Sequence, residues 1–144
     1  MNRFLLAALL LTAPAFAHNG VDHSAHHGGI VRPWKELHYE TAALPAGGIQ
    51  IYFADAAGEP LPASAVSQVA VEIAHPAAKT EYVDMGIDPT GVFWTGKSLP
   101  LTDDKSTLRI GFTYHGAAAS VEVPGAPVIA ASVAATKKKP THGH

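Results

Sequence analysis

The sequence predicts an all-β protein: an immunoglobulin-like antiparallel β-sandwich of about seven strands with flexible His-rich tails. Two observations carry this. From Trp34 to Val123 the chain runs in short stretches rich in Val, Ile, Tyr, Phe and Thr, broken by Gly, Pro and Asp clusters about every ten residues. No window of that region sustains an apolar period of 3.6, so helices there should be absent or single turns.

The elements follow in order. "KELHYETAAL" reads as the first strand. "GGIQIYFADAAGEPL" sets Ile49, Ile51 and Phe53 on one face and Gln50 and Tyr52 on the other, then turns at Asp55 to Gly58. "SQVAVEIAHP" repeats the alternation with Val69, Val71 and Ile73. "KTEYVDMGID" and "GVFWTGKS" supply further strands, and "STLRIGFTYHGAAASVEVPG" folds into a hairpin. That hairpin places Leu108, Ile110, Phe112 and Tyr114 on one face, with His115-Gly116 at the turn. Trp34 and Trp94 read as core or rim packing.

The opening "MNRFLLAALLLTAPAFA" has a basic start at Arg3, an apolar run and a small-x-small ending, the pattern of a cleaved secretory signal over residues 1–17. The expected organisation is then a His-rich segment over 18–33, the sandwich over 34–124 and a flexible Ala-, Lys- and His-containing tail over 125–144. Cleavage after Ala17 predicts a periplasmic protein that meets no membrane afterwards. A net charge of −2 excludes nucleic acid as a partner by electrostatics. No Cys is present and only Met85 remains after Met1, so a bound metal would rest on imidazole, carboxylate or backbone groups.

Four of the nine histidines stand in "HNGVDHSAHHGG", at His18, His23, His26 and His27. Imidazole is the commonest ligand of borderline divalent metals, and such spacing brings two or three rings to one ion with little rearrangement. Gly28 and Gly29 allow a sharp turn, Asp22 adds an oxygen donor, and a free His18 amine would chelate Cu(II) with its own ring. The donors suit Cu(II) or Zn(II), and also Co(II) or Ni(II). The competing reading is a solvated leader with incidental histidines. Strand alternation sets His38 beside Glu40 on one sheet face, against Leu37 and Tyr39. His75 and His115 read as turn residues, and His142 and His144 as auxiliary donors beside Lys137 to Lys139.

The stretch "HHGGIVRPWKELHYETAALPAGGIQIYFADAAGEPL" resembles small periplasmic heavy-metal-binding domains, and is similar to the N-terminal segment of the CzcB-type adaptors of metal exporters. The resemblance rests on His27, Gly28, Gly29, His38, Tyr39 and Glu40, and implies handling of copper, zinc, cobalt, nickel or cadmium. The chain lacks the adaptors' long helical hairpin and barrel segments, which makes it a stand-alone domain. A mature N-terminal His18 also resembles CopC-type copper proteins and histidine-brace oxygenases, although no Asp-Gly-His segment is present.

The expected function is a non-enzymatic periplasmic buffer or chaperone of Cu(II) or Zn(II), partnered by an efflux component. Its site draws on His18, His23, His26, His27, His38 and Glu40. The alternatives are an immunoglobulin-like interaction module docking through an exposed strand edge, and a copper enzyme of the brace type. No Gly-x-Ser-x-Gly or phosphate-cradling loop points to hydrolase or nucleotide chemistry.

Overall fold

A computed structural model describes residues 23–138. It contains nine strands, one α-helix and a single 3-10 turn at Ala63–Ala65: β1 (Ile30–Trp34), β2 (Leu37–Ala43), β3 (Ile49–Ala54), β4 (Ser67–Ala74), β5 (Glu81–Val83), β6 (Gly86–Ile87), β7 (Trp94–Gly96), β8 (Thr107–Tyr114), β9 (Ala117–Pro124) and α1 (Gly125–Lys138). All pairings are antiparallel, and two sheets form a sandwich. One runs β1-β2-β3-β7-β6 and the other β5-β4-β8-β9.

The alternation read from the sequence builds the core. Ile49, Ile51 and Phe53 of β3 face Val69, Val71 and Ile73 of β4 and Leu108, Ile110 and Phe112 of β8 in one apolar cluster. Trp34, Tyr39 and Phe53 each set a ring against Phe112, at centroid distances of 5.3, 6.0 and 5.6 Å. The hairpin of β8 and β9 turns at His115-Gly116, both at positive φ (48° and 75°), as a two-residue type I′ turn requires.

Three expectations need correction. Among the described residues there are nine strands rather than about seven, because "KTEYVDMGID" breaks into two short strands and the sandwich begins at Ile30, not at Trp34. Ile30–Trp34 pairs with β2 from Ile30↔Thr41 to Trp34↔Leu37, and its Pro33 is tolerated because β1 is an edge strand.

The chain after Pro124 is not a loose tail, since Gly125–Lys138 is helical. Ala-rich composition, Pro127 in the first turn and Lys137 and Lys138 in the last all favour that helix. It is held by Val128, fully buried in the core, by the Gly125 N–H donating to the Ser106 carbonyl (2.7 Å), and by Ser132 Oγ donating to the Ala43 carbonyl (2.8 Å).

Finally, the described part of the His-rich segment is docked rather than free. It covers the outer face of β2, whose residues are buried on both faces. The leader, His18, Asp22, His142 and His144 lie outside the described residues.

Candidate functional site

The site starts from the alternation of β2. Leu37 and Tyr39 point into the core, so His38 and Glu40 point outward, yet both are buried, at 8% and 5% exposure. A carboxylate so placed must be satisfied by donors, and the segment His26–Gly29 supplies them. Glu40 Oε1 accepts from the backbone N–H of His27 (2.8 Å) and Gly29 (3.0 Å), and Oε2 accepts from the N–H of His26 (3.2 Å) and from His27 Nδ1 (2.8 Å).

The "HHGG" motif makes this possible. Gly28 adopts φ +75°, and a Cβ there would lie 2.7 Å from Ala135 Cβ of α1. A Cβ at Gly29 would lie 2.3 Å from the Thr41 carbonyl oxygen. Only two glycines let the chain curl round the carboxylate while β1 enters its register with β2.

Burial pushes the Glu40 carboxyl up. The hydrogen bonds from the His27 ring and from the backbone of His27, Gly29 and His26 outweigh it and hold the group below its ordinary value. Glu40 is therefore ionised, and its roughly four lone-pair sites are all engaged. In this arrangement Glu40 orients His27 and closes the segment.

The His27 ring stacks on Tyr52 at 3.6 Å with an interplanar angle of 2°. Tyr52 is opposite Glu40 in the β2/β3 register. Its hydroxyl is pushed up by burial and by the negative charges of Glu40 and Asp88. Because a carboxylate only accepts, Nδ1 of His27 carries the hydrogen, which makes Nε2 the nitrogen that offers a lone pair whenever the ring is neutral. His38 shows the same pattern: Nδ1 donates to the Asp55 carbonyl at 2.8 Å, which again leaves Nε2 as the lone-pair nitrogen. This is how proteins commonly orient a ligating imidazole, through an oxygen acceptor on its other nitrogen.

His26, His27, His38 and Glu40 line one pocket with Tyr52 and Phe53. Its volume of about 50 Å³ is far below the several hundred Å³ of metabolite sites and suits an ion with a few waters. The His23 ring lies 4.9 Å from that of His38, and those of His26 and His27 are 6.4 Å apart. Among the described residues no three His, Asp or Glu side chains converge tightly enough to hold an ion.

No family model and no curated protein matches the chain. Among solved structures the chain is similar to a DUF4426 family protein from Pseudomonas aeruginosa, at 12% identity and a TM-score of 0.47, over 65% of this chain and 91% of that one. A likeness at that level carries neither activity nor ligand across.

The other histidines stand apart. His75 Nε2 is 3.3 Å from Glu81 Oε2 and its Nδ1 is 3.4 Å from Ser106 Oγ. Ser106 is 2% exposed, so its hydroxyl lies beneath the surface, while His75 and Glu81 line a separate surface pocket. His115 sits in the β8/β9 turn against Tyr114. Sequence reasoning placed Tyr52 on the outer face but missed its part as the platform under His27. The signal was an aromatic at an outward position of a strand whose neighbour carries an outward Glu.

Proposed function

We propose that this chain is a periplasmic metal-binding protein that takes up a borderline divalent ion, Cu(II) or Zn(II) and secondarily Co(II) or Ni(II). It would buffer that ion or pass it to an efflux component in metal homeostasis. The ligands are Nε2 of His27 and Nε2 of His38, joined by His23, His26 and, from the preceding stretch, His18. Glu40 and the Asp55 carbonyl orient the first two rings.

The observation that supports this reading best is the fixed tautomer at two imidazoles lining one small pocket: Nδ1 of His27 on Glu40 and Nδ1 of His38 on a carbonyl. Among the described residues no three such groups converge on one point, and the proposed sphere is an open one completed by water and movable imidazoles. Such a sphere exchanges its ion readily, which suits transfer more than storage. No catalytic step belongs to this reading.

The test is calorimetric titration of the purified protein with Cu(II) and with Zn(II), beside His27→Ala, His38→Ala and the double variant. Each single change should weaken binding about tenfold or more, and the double variant should lose it. Binding by the double variant as tight as that of the parent would overturn the assignment.

A further inference from the structure

The sandwich has four sheet edges, and three are guarded against pairing with another chain. β1 carries Arg32 and Pro33, β5 has three residues and β6 has two. β9 is different. It has eight residues, pairs with β8 without interruption from Tyr114↔Ala117 to Thr107↔Pro124, carries its proline only at the last position, and bears one charge, Glu122, which Arg109 of β8 meets at 3.2 Å.

The hairpin tells which of its backbone groups are free. A two-residue turn closes with the Ala117 N–H on the Tyr114 carbonyl, so Ala117, Ala119, Val121 and Val123 bond to β8. Alternation leaves the N–H and C=O of Ala118, Ser120 and Glu122 on the outer edge. Among the described residues no backbone hydrogen bond from outside the sheet reaches them. Beside this edge the core is open. Ile30 and Trp34 of β1, Tyr114, and Ala119 and Val121 of β9 are all only partly buried. Trp34 and Ala117 line one surface pocket, which places β1 next to β9.

We propose that two copies of this chain pair through β9, antiparallel about a two-fold axis at Ser120, joining two four-stranded sheets into one of eight strands. The strand is self-complementary in this register. Ser120 meets its counterpart, and Ala118 meets the second copy's Glu122, as three pairs that each exchange two hydrogen bonds. No like charges face each other, and the half-buried Ala119 and Val121 are covered. This association is independent of any metal.

The test is sedimentation of the purified full chain in the presence of a metal chelator, with three variants. The parent should be dimeric. Ser120→Pro removes an outward N–H while sparing the ladder to β8, and should give a monomer with unchanged far-ultraviolet dichroism. Ala118→Lys places an opposite charge against Glu122 twice and should tighten Kd by about 2- to 30-fold, whereas Ala118→Glu should loosen it by a similar factor.

A monomeric parent, or a dimer that forms only when metal is added, overturns the proposal. So does a shift of Kd in the same direction for both Ala118 variants, which also decides the matter if Ser120→Pro fails to fold. None of these outcomes touches the metal-binding reading, which is decided by the histidine variants.

Discussion

Replacing Glu40 by Gln should disable the pocket without removing any imidazole. The carboxylate accepts four hydrogen bonds, two at each oxygen. An amide keeps one acceptor. The better orientation leaves its oxygen on the N–H groups of His27 and Gly29, so those two bonds fall from charge-assisted to neutral strength, about 1 kcal/mol each. The amide nitrogen then faces the His26 N–H, donor against donor, at about 1 kcal/mol more because His26 lies near solvent. The total cost is about 3 kcal/mol.

The same nitrogen faces His27 Nδ1 and can be satisfied only if that atom gives up its hydrogen. The proton then moves to Nε2, and the ligand lone pair is lost. Metal affinity should fall about 10- to 100-fold. Long-range nitrogen–proton correlation spectra of the His27 ring report the tautomer, and calorimetry reports the affinity. A Glu40→Gln protein that binds metal like the parent, with Nδ1 still protonated, would refute this reasoning.

Gly29→Ala sets a Cβ 2.3 Å from the Thr41 carbonyl oxygen, a backbone atom that cannot yield. Thermal melting should show a loss of about 2–3 kcal/mol. Val128→Ala opens a cavity under α1 and should cost about 2 kcal/mol by denaturant titration; a value near zero would mean that the helix adds little to the core. The Thr41 hydroxyl is buried with no partner among the described residues, so Thr41→Val should stabilise by about 1 kcal/mol in the same assay. Glu40 has its folded-state pKa below its unfolded value, so its contribution is complete above about pH 4.3 and is lost as pH falls through the lower folded value. Amide exchange at His27 and Gly29 should accelerate in that acid window; unchanged protection there would contradict the clamp.

What could be read from the chain was what has a short period. The faces of β3, β4 and β8, the turn at His115-Gly116, and the shared side of His38 and Glu40 all follow from alternation and turn chemistry. What could not be read depends on distant partners. The Glu40 clamp uses backbone N–H groups 11 to 14 residues away, and backbone donors leave no mark in side-chain identity. The helix after Pro124 left a mark, in its alanines, Pro127 and terminal lysines, but its apolar stripe is too narrow to stand out without the core it covers. β1 was obscured by Pro33, which argues against a central strand and is acceptable at an edge.

Gly28 and Ala135 line one surface pocket, close enough that a Cβ added at Gly28 would come within 2.7 Å of the Ala135 Cβ, and this sets the two ends of the described chain side by side, one bearing His26 and His27 and the other forming the last turns of α1. Segments joined in this way tend to open together as one cooperative unit. Fraying of the helix would therefore loosen the grip on Glu40 and release the two histidines, although no residue of the helix lies in the His27 pocket. The lifetime of the imidazole arrangement is then set in part by a segment more than a hundred residues away along the chain, and amide protection in α1 should rise and fall with that of His27.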